Sequence, residues 1–216
     1  MKYCGDNMIQ TKLRINNNPT LQERCIYYKT IFPKWPAPIV DSIDGRLYGH
    51  WILGNNYRNK NQYYGEYPPN FIIRVFALFP EVLGQEILHL FSGSLGDETK
   101  GLKFDINNAN PVDYCGDAHN LSQVVSKKFK LILADPPYSE EDAKHYGNPL
   151  INRNKVIKEC ILLLKPKGFL CWLDQVLPMY RKRELEFIGA INVIRSTNHR
   201  VRNLFIWQKV DEKKNV

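Results

Sequence analysis

Short apolar runs that stop at polar residues alternate with amphipathic segments through most of the chain. The apolar runs predict buried strands, and segments with apolar positions three or four apart predict helices. The predicted strands lie at 87–91, 102–105, 131–134, 169–173, 191–194 and 201–210. The predicted helices lie at 69–80, 151–164 and about 178–188. Strands that alternate with helices favour an α/β fold with a doubly wound, mostly parallel sheet, and the last two strands suit a terminal antiparallel pair.

The strand at 131–134 ends in Asp135-Pro136-Pro137-Tyr138, an acid followed by two prolines and an aromatic ring. In open α/β sheets, ligands bind at the carboxyl ends of the strands, so this tetrapeptide is a candidate catalytic site. A turn that only stops the strand is the alternative, because aspartate and proline also serve that purpose.

The same four residues match what methylation of an exocyclic amine requires. The lone pair of such an amine is delocalised into its aromatic base, so the nitrogen is a poor nucleophile. The Asp135 carboxylate would accept one N–H and a main-chain carbonyl near Pro136 the other, which drives the nitrogen towards a tetrahedral shape beside a fixed negative charge. The two prolines lack an N–H and hold the turn rigid, and the Tyr138 ring offers a stacking surface for a base that has left its helix.

Three polar segments precede that strand in an ordered series. The turn after the strand at 87–91 reads Phe91-Ser92-Gly93-Ser94-Leu95-Gly96. Glycine there lets a nucleoside ligand approach the backbone. Asp105 ends the next strand, where it could bind two ribose hydroxyls, and Asp117 lies in the segment 114–118, whose spacing suits one more βα unit. The plain alternative is that the glycines form a turn and the two acids cap loops or helices.

In this order the segments resemble the class I S-adenosylmethionine (SAM)-dependent amino-methyltransferases, which act on adenine N6 or cytosine N4 in DNA. The resemblance covers roughly residues 70–210. It implies a Rossmann-like methyltransferase sheet, with Asp135, Pro136, Pro137 and Tyr138 as the catalytic motif. It also implies that the cofactor SAM is bound by Phe91, Ser92, Gly93, Ser94, Asp105 and Asp117, with Asp105 at the ribose and Asp117 at the cofactor adenine. An aspartate in the first motif position resembles the adenine-N6 enzymes more than the cytosine-N4 enzymes.

The cofactor segment precedes the catalytic motif, as it does in the α and γ groups of this family. The 38 residues between Gly96 and Asp135 leave no room for the recognition insert of the α group. Only eight residues separate Gly96 from Asp105, whereas a crossover with a full helix needs about a dozen or more. The first cofactor helix is therefore expected to be shortened or absent, so other groups must hold the methionine carboxylate. The candidates are the aromatic stretch 63–67 and the N–H groups of residues 92–95.

The net charge of +8 is unevenly distributed: +5 over residues 1–80, −2 over 81–180 and +5 over 181–216. A near-neutral centre between two basic flanks suits a polyanion held along its phosphates. Candidate nucleic-acid contacts surround a Ser-Thr-Asn turn between the last two predicted strands, and they are Arg195, His199, Arg200 and Arg202. A solvated surface is the alternative.

Residues 1–68 are expected to be an N-terminal extension, and residues 69–216 the methyltransferase domain. The extension interleaves aromatic and basic residues, Trp51 among them. Such residues would either bind the substrate nucleic acid by stacking and charge or cover one face of the sheet.

Several classes of protein are disfavoured by composition. No run of about 18 apolar residues predicts a membrane span, and the first residues lack an apolar signal core, so a cytoplasmic protein is expected. The five cysteines include no Cys-x-x-Cys pair, so no metal site is expected.

The sequence thus predicts a SAM-dependent methyltransferase, with adenine N6 in DNA as the favoured acceptor. Two alternatives stay open. One is a methyltransferase for RNA bases or protein amide nitrogen, and the other is a non-catalytic nucleic-acid-binding module with the same fold. Without a separate recognition domain, sequence specificity would be short or would come from a homodimer.

Overall fold

A computed structural model describes residues 15–54, 67–109, 111–145, 147, 149–195 and 198–211, with the backbone alone at 145 and 198–200. Within these residues the strands are β1 (Ile39–Val40), β2 (Leu47–Leu53), β3 (Ile87–Leu90), β4 (Leu102–Asp105), β5 (Tyr114–Cys115), β6 (Phe129–Ala134), β7 (Leu164–Asp174), β8 (Leu185–Arg195) and β9 (Asn198–Lys209). The helices are α1 (Leu21–Ile31), α2 (Phe71–Leu78), α3 (Leu121–Val124), α4 (Glu140–His145) and α5 (Arg153–Leu163).

All the described strands belong to one sheet, in the order β1-β2-β8-β9-β7-β6-β3-β4-β5. The strands from β7 through β6, β3 and β4 to β5 are parallel, and β9 is antiparallel to both of its neighbours. The chain runs outward from β3 to β5 and then returns to the other side of β3 as β6. The predicted doubly wound, mostly parallel sheet is therefore confirmed, and its antiparallel strand β9 is the last strand in the chain but lies inside the sheet.

Helices cover both faces of the sheet. Successive side chains of a strand point to opposite faces, so neighbouring residues of one strand join different cores. In β6, Leu131 and Leu133 join the core beneath α1 and α2, whereas Ile132 and Ala134 join the core beneath α3 and α5. Burial on both faces explains why these strands read as continuous apolar runs rather than as alternating ones.

The connection between β3 and β4 contains turns but no helix, as the short spacing predicts. Residues 91–101 are held to β4 instead. The N–H of Ser92 donates to the carbonyl of Phe104 at 3.1 Å, and the ammonium of Lys103 lies 2.6 Å from the carboxylate of Asp97. The absence of the first cofactor helix is confirmed.

The prediction of a helix at about 178–188 is wrong. Residues 178–181 lack regular structure, residues 182–184 form a turn, and β8 begins at Leu185. The helix-favouring residues around Glu184 suggested the helix, but β8 is a central strand that pairs with β2 on one side and β9 on the other. Pairing of β8 along both of its edges outweighs the local preference of these residues for a helix.

The described part of the N-terminal extension, residues 15–54 and 67–68, packs into the same body as the rest of the chain. Strand β2 extends the sheet by pairing with β8, and Trp51 is fully buried and stacks on Tyr28 at 5.7 Å. Trp51 thus covers one face of the sheet, the second of the two roles considered for these aromatic residues. Every helix in the described ranges is too short or too polar to cross a bilayer.

Candidate active site

The parallel register brings the ends of several strands to one edge of the sheet. Leu90 is the register partner of both Phe104 and Ala134, and Ala134 is the partner of Trp172. Phe91 follows Leu90, Asp105 follows Phe104 and Asp135 follows Ala134, so these three residues lie at that edge. The strand order reverses between β3 and β6, and a crevice forms at such a reversal in doubly wound sheets.

Asp135 and Tyr138 form a hydrogen-bonded pair in the turn after β6: the Tyr138 hydroxyl donates to the Asp135 carboxylate. Pro136 is buried between them and Pro137 is partly exposed. Burial raises the pKa of Asp135 to about 7, and the negative charge of Asp174 acts in the same direction. The positive charges of Arg202 and Arg195 and the bond from Tyr138 oppose that rise. The net effect is a pKa well above the ordinary value for an aspartate.

The hairpin of β8 and β9 brings positive charge to this pair. Because β9 is antiparallel to β7, with Asn203 opposite Asp174, its first residues lie at the same sheet edge as Asp135. The guanidinium carbon of Arg202 lies 4.9 Å from the centre of the Tyr138 ring. Of the four predicted nucleic-acid contacts, Arg195 and Arg202 act electrostatically on Asp135, while the side chains of His199 and Arg200 lie outside the described residues.

The predicted cofactor turn has an unusual backbone. Phe91 has φ +62°, a left-handed conformation that bulky residues rarely adopt, and Gly93 has φ +53°. The N–H of Gly93 donates to Oδ2 of Asp105 at 2.9 Å, and the other oxygen of that carboxylate accepts from the N–H of Asn107 at 2.9 Å. Asp105 thus fixes the turn that contains Ser92, Gly93 and Ser94.

Two buried hydroxyls have no hydrogen-bond partner among the described residues: Oγ of Ser92, in this turn, and the hydroxyl of Tyr67, whose ring centre lies 6.3 Å from that of His89 in β3. Burial raises the pKa of Tyr67 well above its usual value, and the charge of Asp135 adds to that rise, so this hydroxyl lies within electrostatic reach of Asp135. Tyr67 is the last residue of the aromatic stretch considered for the methionine carboxylate, and residues 63–66 lie outside the described residues. An unpaired buried hydroxyl costs about 1–3 kcal/mol, so both hydroxyls are free to bond a polar ligand.

Asp117 caps a short 3₁₀ turn, Ala118–Asn120. Its carboxylate accepts from the main-chain N–H of His119 at 2.9 Å and lies 2.7 Å from Nδ1 of the same histidine. These are the contacts of the capping alternative, and the role of Asp117 at the cofactor adenine stays a prediction.

Sequence reasoning missed Asp174 and Arg153. Asp174 ends β7 at this sheet edge, is fully buried, and pairs with Arg153 at the start of α5. A signal was present, because an acid ends the apolar run at 169–173 just as Asp135 ends the run at 131–134. The described residues contain no group of three or more His, Cys, Asp or Glu side chains that could hold a metal ion.

No protein-family model matches the chain, and neither does any curated protein. Solved structures with a similar fold include TrmN from Thermus thermophilus, at 17% identity and TM-score 0.49 over 68% of this chain and 50% of that one. An rRNA methylase from Streptococcus thermophilus aligns at 11% identity and TM-score 0.39, over 60% of this chain and 90% of that one. A methyltransferase-like protein from Streptococcus mutans in complex with SAH aligns at 12% identity and TM-score 0.41, over 60% and 90%.

This chain therefore spans about half the length of TrmN. At such identities and TM-scores, the activities of these proteins do not carry over to this chain.

Proposed function

We propose that this protein is a SAM-dependent methyltransferase that acts on an exocyclic amine of a nucleic-acid base, with adenine N6 in DNA as the favoured acceptor. One observation carries the proposal: the turn from Asp135 to Tyr138 lies at the carboxyl edge of the sheet, beside the turn after β3, where the strand order reverses. Donor and acceptor molecules would meet between these two turns.

The residues of the turn after β3 fit SAM. Gly93 leaves space for a close approach to the backbone, and each Asp105 oxygen keeps a lone pair for a ribose hydroxyl after accepting one N–H. Since no helix follows β3, its amino end cannot hold the methionine carboxylate. The unpaired hydroxyls of Ser92 and Tyr67 are proposed to take over part of that contact. Bound SAM supplies an electrophilic methyl group on a sulfonium sulfur.

Asp135 and its turn orient the acceptor. The ionised carboxylate accepts one amine N–H in place of the Tyr138 hydroxyl, and the carbonyl of Pro136 accepts the other. The nitrogen lone pair then points away from the plane of the base, towards the donor, and the positive charge that develops on nitrogen faces a carboxylate held in a low-dielectric site. The Tyr138 ring stacks on the base. After transfer the surplus proton leaves to water, so the site needs no separate base.

Charge favours a polyanionic acceptor. Arg195 and Arg202 act electrostatically on the catalytic aspartate, and both flanks of the chain are basic. An acceptor base must leave its helix to reach Asp135, which is the usual route for enzymes that modify a base. Adenine is favoured over cytosine by the resemblance of the motif, whose first residue is aspartate.

The test is to incubate the full chain with methyl-labelled SAM and, separately, with DNA, RNA and a protein extract, and to identify the labelled products by mass spectrometry of nucleosides and peptides. We expect labelled N6-methyladenine in DNA. Label in RNA or protein alone would keep the methyl transfer and overturn the DNA acceptor. No label in any fraction, together with no calorimetric heat at millimolar SAM, would overturn the enzyme and favour the non-catalytic module.

A further inference from the structure

Asp174 is the most heavily bonded acid at this sheet edge. Its side chain is fully buried, and it accepts hydrogen bonds from the indole of Trp172 at 3.0 Å and from the main-chain N–H groups of Gln175 and Val176 at 2.7 and 3.3 Å. These bonds fix the orientation of the carboxylate at the end of β7. A buried charge held so firmly can in turn orient a cation.

Arg153 is that cation. Its Nε donates to Oδ2 of Asp174 at 2.7 Å and its Nη2 to Oδ1 at 3.2 Å, a two-pronged contact that uses the planar guanidinium. Arg153 is also the first residue of α5, where the helix dipole disfavours a positive charge. A residue placed against its local preference indicates that another requirement governs the position.

The same Nη2 of Arg153 donates to the main-chain carbonyl of Tyr138 at 2.9 Å. The contact therefore runs from the end of β7, through the start of α5, to the turn after β6. The Tyr138 hydroxyl bonds Asp135, so the residue is held by its backbone at Arg153 and by its side chain at the catalytic acid.

We propose that Arg153, oriented by Asp174, is a positioning residue that fixes the turn from Asp135 to Tyr138 in the conformation that methyl transfer requires. The role in transfer rests on the proposed function, whereas the bracing of the turn does not. Arg153 acts through the main chain of Tyr138 and does not itself touch the reacting atoms. A displacement of about 1 Å in a reacting group can cost roughly 100-fold in rate, so one lost contact at this carbonyl has a large effect on turnover.

The experiment compares Arg153→Ala and Arg153→Lys with Lys158→Ala, which removes an exposed cation from the same helix. Three quantities are measured on the full chain: amide hydrogen exchange at residues 138–143, single-turnover methyl transfer, and SAM affinity by calorimetry. In Arg153→Ala we expect faster exchange at 138–143, transfer slower by about 100-fold, and unchanged SAM affinity. Added guanidinium ion should restore part of the transfer in this variant.

Arg153→Lys should fall between the wild type and Arg153→Ala, because an ammonium is a compact point charge that cannot form the planar fork. Lys158→Ala should match the wild type in all three quantities. If Arg153→Ala does not fold, the lysine variant decides by the same readouts.

Unchanged exchange at 138–143 in the Arg153 variants would overturn the proposal. So would a loss of transfer that follows the loss of SAM affinity and of thermal stability in parallel, without rescue by guanidinium. If the wild type transfers no methyl group, the proposed function fails, and the exchange measurement still decides whether Arg153 braces the turn.

Discussion

The guanidinium of Arg202 covers one face of the Tyr138 ring, at 4.9 Å from the ring centre. Two stacked rings have centres about 4.5–7 Å apart. The distance between Arg202 and the Tyr138 ring therefore corresponds to direct contact, and a base does not fit between the two side chains. An arriving base must use the other face of Tyr138 or displace Arg202. Under the proposed function, the guanidinium of Arg202 beside the Tyr138 ring is a candidate contact for a phosphate of the acceptor.

The first prediction concerns Arg202. Arg202→Ala should weaken binding of the nucleic-acid acceptor and reduce the salt dependence of that binding by about one unit of slope, because one phosphate contact is lost. Arg202→Lys should keep the slope, since the charge stays. Titrations of labelled DNA at several salt concentrations measure both quantities. Unchanged or tighter binding by Arg202→Ala would contradict a phosphate contact.

The second prediction concerns the pH dependence of turnover. Burial raises the pKa of Asp135 to about 7, and only the ionised carboxylate places a negative charge beside the amine nitrogen as that nitrogen becomes positive. The value of kcat/KM should therefore fall by about tenfold per pH unit below an inflection near pH 7. Initial rates from pH 5 to 9 give the inflection.

Arg202 supplies a control for this assignment, because its positive charge lowers the pKa of Asp135. Arg202→Ala should move the inflection to higher pH, and Arg202→Lys should leave it nearly in place. An inflection that stays the same in Arg202→Ala would assign the titration to another group.

The third prediction concerns stability. The pKa of Asp135 in the folded protein lies above the ordinary value of 3.8, so between about pH 4 and 7 the folded state holds more protons than the unfolded state. The contribution of Asp135 to stability is therefore lost as the pH rises through this window. Asp135→Asn cannot ionise and should melt at a higher temperature than the wild type at pH 8, with little difference at pH 4.

Glu140→Gln neutralises an exposed acid in the same part of the chain and is the control for the melting experiment. It should change the melting temperature little at either pH. A lower melting temperature for Asp135→Asn at pH 8 would contradict a buried carboxylate that destabilises the fold when it is ionised.

The fourth prediction concerns the two unpaired hydroxyls. Ser92→Ala and Tyr67→Phe should each weaken SAM binding by roughly 2- to 12-fold, the equivalent of one hydrogen bond of 0.5–1.5 kcal/mol. Neither should lower stability, because each removes a buried hydroxyl without a partner among the described residues. Tyr48→Phe, which removes a hydroxyl bonded to Asp44, is the control. Calorimetry that shows unchanged SAM affinity in both variants would place the methionine end elsewhere.

The sequence predicted the sheet because its central strands are buried on both faces, which leaves long apolar runs with clear ends. It also predicted that no full helix follows β3, since the segment between Gly96 and Asp105 is too short to contain one. The error at 178–188 arose where the local residues favour a helix and only pairing with β2 and β9 imposes a strand. The pairing with β2 joins residues far apart in the chain, Leu47 with Gly189 for example, and leaves no local pattern.

The site divides in the same way. The closeness of Asp135 and Tyr138 could be expected from the sequence because both belong to one motif of four residues. Asp174 had a signal, the acid at the end of the apolar run 169–173. Arg153 had none, because its bonds join the ends of three elements and no short motif contains them. Arg202 lies close to Tyr138 because β9 returns beside β7. The basic cluster around the last turn indicated a positive surface but not this contact.

The central claim is that the Asp135 carboxylate hydrogen-bonds the acceptor amine while the methyl donor binds elsewhere at the same edge of the sheet. The most direct measurement is single-turnover methyl transfer by Asp135→Ala, with SAM affinity determined on the same preparation. We predict that transfer to nucleic acid is abolished while SAM binds as it does to the wild type. Transfer at the wild-type rate by this variant would contradict the claim.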